Sequence, residues 1–261
     1  MDWTAVAYSL FGALLFLTYI FVVAKIRNRY DLVDVAWGLA FISIAVISYT
    51  SQVPIIYSMQ TITTILVIIW GLQLSLHVYS RWKMSQGEDR RYASLRNKYV
   101  KTKLGLAINM YLRVFVFQAI LAVVISLPVI IINTTPMAKP TILTVIGVIV
   151  WVIGMAFETV GDYQLKKHRD NPKNKNTLLT TGLWKYTRHP NYFGEITLWW
   201  GIFIIALASP LWWIAIIGPV LITILLTFVT GVPLVEKQFE GRLGWNTYKK
   251  HTSKLFPLPP R

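Results

Sequence analysis

The chain has 261 residues, of which 55% are hydrophobic and only 14% charged, against about 25% charge in soluble domains, so a water-soluble globule is a poor reading. Zero cysteines remove disulfide scaffolds, zinc–thiolate sites, iron–sulfur clusters and cysteine nucleophiles. The formal charge of +15 would indicate nucleic acid on a soluble surface, so the placement of the cations decides its meaning.

The sequence opens Met-Asp-Trp with no basic n-region and no small-residue cleavage site, so no removable signal peptide is expected. Crossing a bilayer as helix takes about 20 mostly apolar residues, and 3–24 is an uncharged run of that length. The stretch 35–80 holds no Asp, Glu, Lys or Arg and breaks at Ser51-Gln52-Val53-Pro54, which predicts helices at roughly 33–50 and 56–79. A fourth is expected over 106–132 and a fifth over 141–161. The uncharged run 196–235 breaks at Ser209-Pro210, giving a sixth near 191–208 and a seventh near 211–231. The fold expected is therefore all-α, a single integral-membrane domain over 1–261 with about seven transmembrane helices. Its N-terminal helices occupy about 3–79 and the remainder about 80–261.

The cations then sort themselves. Segments 25–31, 80–105, 161–191 and 232–261 hold 24 of the 26 Lys and Arg residues, whereas the intervening connections hold only Lys139. The positive-inside rule makes the rich side cytoplasmic, with the N-terminus outside and the C-terminus inside. Topology and anionic lipid then account for the charge, and no nucleic-acid partner is expected. Two of the cation-rich connections run to about 25–30 residues, beyond the about 12–15 at which loops are usually functional or disordered. They carry Trp82, Tyr92, Tyr99, Trp184 and Tyr186 and little Ser or Gly, so chemistry is expected at this face. No internal repeat is visible, which argues against an inverted-repeat transporter.

No G-x-G-x-x-G, G-x-x-x-x-G-K-[ST] or H-E-x-x-H occurs, and His77, His168, His189 and His251 are scattered, so no metal site is expected. The informative block is G-L-W-K-Y-T-R-H-P-N-Y-F-G-E over 182–195, followed by Trp199-Trp200-Gly201. Pro190 suits the first position of a helix, whose free N–H groups favour an anion, and Arg188 and His189 just before it add donors for a phosphate. Asn191, Glu195 and Trp199 at i, i+4, i+8 line one face descending into the membrane. An ionisable group there is costly and usually faces a cavity or partner; an interfacial aromatic and basic belt explains Arg188 and Trp184 equally well. On the fifth helix Glu158, Asp162, Lys166 and Arg169 share one side, where Asp162–Lys166 reads also as a solvated i, i+4 pair. After the third helix, Arg81, Arg91, Tyr92 and Arg96 surround Glu88-Asp89, a mixture suited to a nucleotide. Asp34 opens the second helix and either satisfies its N–H groups or serves a site. His77 and Tyr79 stand isolated near the end of the third.

The 182–195 block, with W-W-G, G-E-D-R-R-Y over 87–92 and the tail from Gly231 to Pro257, resembles the steroid 5α-reductase C-terminal superfamily, most closely a bacterial branch of its membrane proteins. The resemblance spans about 31–258. It implies a seven-helix fold in a bacterial inner membrane, with NADPH bound from the cytoplasmic side. Arg81, Asp162, Arg169, Asn191, Tyr192 and Glu195 match positions associated with the nucleotide, and Glu158 stands where steroid 5α-reductases have Asn. Arg91, Tyr92, Tyr186, Arg188, His189, Glu236 and Tyr248 complete the cofactor set expected. The groups that polarise a steroid enone have only approximate counterparts, Asp34 and Tyr79, which are the expected catalytic acids. The resemblance thus implies an NADPH-dependent reductase of an activated C=C bond in a lipophilic substrate, held in contact with membrane lipid. Isoprenylcysteine methyltransferases share a version of the block, so an S-adenosylmethionine-dependent methyltransferase of a lipid is a second expectation, and a non-enzymatic lipid-binding protein a third. Nothing in the sequence fixes the oligomeric state.

Overall fold

A computed structural model describes residues 2–52, 58–99, 102–136 and 139–260. Among these residues there are helices and no strands, apart from one isolated parallel bridge between Thr187 and Ser253. Six helices are long and apolar enough to cross a membrane: α1 (Trp3–Arg27), α2 (Leu32–Thr50), α3 (Met59–Met84), α5 (Lys103–Ile125), α7 (Ile142–Asp170) and α9 (Trp212–Phe239). Between them lie α4 (Arg90–Tyr99), the short α6 (Leu127–Thr134) and α8 (Pro190–Ala206), and α10 (Trp245–His251) follows. The segment expected as a sixth crossing is α8, 17 residues long, a little under the usual crossing length.

Several boundaries differ from those expected, each for a local reason. The 106–132 helix divides because Pro128 restarts the chain as α6 after Ser126, since proline lacks the N–H that would continue α5. The fifth helix runs nine residues past Gly161, because Gln164, Leu165, Lys166, Lys167 and Arg169 after it are good helix formers. It stops at Asn171-Pro172. The long connections also fold in part, as α4 and α10. The expected break at Val53-Pro54 and the expected start of the third helix at 56 lie outside the described residues.

The chain forms two compact units, one of Met1–Pro140 with Ser209–Ala215, the other of Thr141–Ala208 with Ile216–Arg261. The expected division near residue 80 falls inside the first. In that unit, Ala5, Ser9, Ala13 and Leu17 recur every four residues on the buried stripe of α1, which is the spacing of one helical face. Its other face exposes Trp3, Tyr8, Phe11, Leu15, Tyr19, Val22 and Ile26. An exposed apolar stripe of that length suits lipid and not water. Gly38 of α2 and Gly71 of α3 pack backbone to backbone, a Cβ on Gly71 falling 2.6 Å from the Gly38 carbonyl oxygen. Beside them Phe41 and Trp70 meet edge to face, centroids 5.1 Å apart. Asn133 of α6 fixes this core by donating to Ala45 O (3.1 Å) and Ser48 Oγ (2.9 Å).

In the second unit α7 and α8 run antiparallel along a seam of glycines. Gly147, Gly154 and Gly161 recur every seven residues on α7, and Gly194 and Gly201 do so on α8. A Cβ on Gly147 would lie 2.6 Å from Gly201 O, and one on Gly154 2.6 Å from Gly194 O. Small residues of this kind let membrane helices approach until backbones touch. A side chain there must push the helices apart, and overpacking of that sort costs about 1–3 kcal/mol. Gly154→Val is expected to lower the apparent melting temperature of the detergent-purified protein clearly, whereas Gly87→Ala, at a glycine with nothing within 4 Å of its Cβ position, leaves it unchanged. Equal melting of both variants would refute the seam.

Candidate functional site

The side chains singled out by sequence fall into two groups, one in each unit. The first is built around the start of α2. Asp31 accepts both Arg29 nitrogens at 2.9 Å, the Trp82 indole N–H at 3.0 Å and the Asp89 backbone N–H at 2.9 Å. Glu88 accepts from the Tyr30 backbone N–H (2.6 Å) and from Arg96 (3.0 Å). Asp34 does not cap its helix. Instead it accepts the Tyr92 hydroxyl and an Arg91 N–H at 2.6 Å, while Arg91 also holds Asp89 at 2.9 Å. Burial opposes ionisation of Asp89, but the Arg91 hydrogen bonds prevail and hold its carboxyl below the usual range. Burial keeps the Tyr92 phenol protonated, and the Asp34 charge reinforces this. The acids in the middle of this loop therefore have a structural purpose, which is to tie it to α2. Arg81 and Tyr79 remain exposed, Tyr79 stacking on Trp82 at 6.2 Å.

The second group is built on the loop that leads into α8. Gly182 sits at φ 63, the left-handed region, where a side chain would also collide with Gln164. That turn lets Leu183 N–H donate to Gln164 Oε1 (3.0 Å) and the buried Trp184 indole donate to Gly161 O (3.1 Å). The next residues are clamped by the C-terminal tail. Arg188 N–H donates to Ser253 O (2.9 Å), Thr187 Oγ1 to Leu255 O (2.8 Å), and Leu258 N–H to Tyr186 O (3.0 Å). Tyr248 closes the clamp by donating to Trp184 O at 2.6 Å, and burial raises its phenol pKa.

The buried Arg188 was expected to offer its guanidinium to a phosphate. The structure uses four of its five N–H donors internally: Nε and Nη2 on Glu236 at 2.9 and 2.8 Å, and Nη1 on Lys249 O and Thr252 O at 3.0 and 2.6 Å. His189 Nε2 lies 3.3 Å from the same Glu236 oxygen. Burial lowers the His189 pKa despite that carboxylate, and the ring stacks on Tyr192 at 5.6 Å. These residues join the loop, α9 and the tail, and leave the guanidinium one N–H beyond those bonds.

Pro190 then starts α8 against Gly161, and the glycine seam brings the polar faces of α7 and α8 together. Asn191 Nδ2 donates to buried Asp162 at 3.0 Å. One turn further in, buried Glu158 lies where its backbone touches Gly194, beside half-buried Glu195. Asp162 and Glu195 feel each other's charge. Asn191 Oδ1 is buried and accepts no hydrogen bond among the described residues. The result is a two-rung polar ladder inside an apolar helix pair, ending at the fully buried Trp199. Its carboxylates are not disposed to hold a metal ion together. Tyr186, Lys166 and Arg169 are exposed. Sequence reading missed Gln164, Asp31 and the tail clamp; the seven-residue glycine repeat was the available signal for the seam.

The chain belongs to the family described as protein of unknown function (DUF1295), whose model matches residues 20–252. No curated protein and no solved structure matches it.

Two outcomes test the second group. Arg188→Ala removes the buried cation from the half-buried Glu236, and breaking a buried pair costs about 3–5 kcal/mol, so a large drop in melting temperature is expected. His189 has a folded pKa below its unfolded value of about 6.5. Its contribution is therefore full above that value and is lost as pH falls through the folded pKa. Melting temperature measured from about pH 7 to 5 should fall less steeply in His189→Gln than in the parent chain, and identical slopes would remove His189 from the linkage.

Proposed function

We propose that this DUF1295 chain is a membrane-embedded, NADPH-dependent reductase of an activated C=C bond in a lipophilic, steroid-like or isoprenoid substrate. Its frame would be seven crossings of a bacterial plasma membrane, the sixth being α8, with the N-terminus outside and the site on the cytoplasmic side. The observation that carries the reading is the polar ladder of Glu158, Asp162, Asn191 and Glu195 along the α7–α8 seam. Ionisable groups on membrane helices are costly and usually face a cavity, a ligand or one another. An unsatisfied buried acceptor such as Asn191 Oδ1 costs about 1–3 kcal/mol, and a ligand N–H or O–H removes that cost.

The chemistry of the ladder suits one end of NADPH. Carboxylates and an amide oxygen accept from ribose hydroxyls and from a carboxamide N–H, and they repel phosphate. The phosphates therefore fit the exposed Lys166 and Arg169, one and two turns beyond Asp162 on α7. When bound, NADPH supplies hydride. Glu158, Asp162 and Glu195 would stabilise positive charge that develops beside them, an electrostatic effect worth most in a site shielded from water. Neither acid expected to give the proton is supported by its setting: Asp34 accepts from the Tyr92 hydroxyl and from Arg91, and Tyr79 is exposed and stacked on Trp82. The resemblance of the 182–195 block to the steroid 5α-reductase superfamily supports the same reaction class. One observation favours a second reading: a carboxylate ladder also attracts a sulfonium, as an S-adenosylmethionine-dependent methyltransferase requires.

The test is thermal unfolding of the detergent-purified chain with NADPH, NADH or S-adenosylmethionine, since a ligand bound only by the folded state raises the melting point by mass action. NADPH is expected to stabilise the parent chain and not Asn191→Ala. Stabilisation by S-adenosylmethionine alone would transfer the ladder to a methyltransferase. Folded protein that responds to none of the three would overturn both readings in favour of a lipid-binding protein.

A further inference from the structure

Outside the ladder, the second unit holds a cavity of about 220 Å³ lined by Arg188, Lys249, Lys250, His251, Lys254 and Leu258, among others. No Asp or Glu is among its lining residues. The carboxylate behind it, Glu236, is taken up by Arg188 and His189. Charge therefore does not cancel here: the Arg188–Glu236 pair is neutral, and no carboxylate among the described residues pairs with Lys249, Lys250 or Lys254. The carbonyl end of α10, whose partial negative charge ordinarily disfavours an anion, is covered. Arg188 Nη1 occupies the carbonyls of Lys249 and Thr252.

Two features say what kind of anion fits. The volume lies below the roughly 300–1,000 Å³ of pockets that enclose drug-sized ligands, so the cavity takes a single phosphate-bearing group and not a dinucleotide. Leu258 and Pro259 line it, the Nζ of its Lys254 stands 5.9 Å over the ring of Phe228, and Phe228 and Phe256 are both exposed. Phe228 belongs to α9, one of the helices apolar enough to cross a membrane. Lys254 therefore stands beside a helix apolar enough to meet lipid.

We propose that this cavity is a binding site for the phosphate headgroup of an anionic membrane lipid, with its acyl chains lying along Phe228 and Phe256. The site is distinct from the ladder, and the inference does not depend on the nucleotide reading. Basic residues near a membrane each strengthen attraction to anionic lipid, and three together are expected to contribute on the order of 100-fold in affinity.

The experiment uses the full chain in detergent, titrated with phosphatidylglycerol or phosphatidylcholine in mixed micelles, with bound lipid counted by native mass spectrometry. Phosphatidylglycerol is expected to bind in preference, and the triple variant K249A/K250A/K254A to lose that preference by on the order of 100-fold. The charge-preserving K249R/K250R/K254R should keep it, which separates loss of charge from loss of fold. A parallel titration with inorganic phosphate distinguishes the source. If phosphate alone displaces no lipid, the headgroup assignment holds; if it binds as tightly as the lipid, the lipid assignment falls. Equal binding of the two lipids by the parent chain, or unchanged preference in the alanine variant, would overturn the site.

Discussion

Where α7 and α8 cross, glycine meets glycine, and the second unit depends on that contact. With backbones this close, the side chains flanking the seam are forced into one another's company. Asp162 finds Asn191, and Glu158 finds Gly194 and its neighbour Glu195. A membrane offers no hydrophobic drive between helices, because lipid tails are as apolar as leucine. Close packing and polar contacts must hold the pair instead. The seam supplies the first and the ladder part of the second, so the residues that carry the proposed chemistry also help to fix the helices that present them.

Around the N-terminus of α8, a buried ion pair does the corresponding work. Two charges taken out of water seldom gain net stability from their attraction alone. Here Arg188 adds two backbone carbonyls and Glu236 adds His189, so most of the charged group's hydrogen-bonding capacity is used. The arrangement joins three pieces of chain distant in sequence: the 182–189 loop, the end of α9 and the tail after α10. It specifies a geometry more than it contributes energy. It also frees the lysines of the tail from any carboxylate, which is the condition for the anion cavity.

Much of the fold was legible because its signals are periodic or compositional. Uncharged runs locate the apolar helices, and Pro190 marks the start of α8. The boundaries were less legible, since α7 continues through polar residues that a hydropathy reading treats as loop, and Pro128 interrupts a run that reads as continuous. For the site, helical spacing grouped Asn191 with Glu195 on one face and Glu158 with Asp162 on another. That the two faces meet did not follow from it. Whether Arg188 faces a ligand or Glu236, 48 residues away, is a tertiary fact with no local signature. Glu88 and Asp89 were equally ambiguous, because a loop acid that binds a nucleotide and one that ties down the loop have the same sequence.

The two units handle acids differently, and the contrast separates scaffold from site. At the start of α2, Asp31, Asp34, Glu88 and Asp89 each meet a guanidinium, and the whole group closes on itself. Such pairs neutralise charge and leave little to offer a ligand. Across the α7–α8 seam Asp162 accepts from an amide, a second carboxyl group stands near it, and the amide oxygen accepts no hydrogen bond among the described residues. Carboxyl groups gathered on one seam in surroundings as apolar as these usually face a cavity, a ligand or one another. That physical difference, and not the presence of acids as such, is why the ladder carries the functional proposal and the loop network does not.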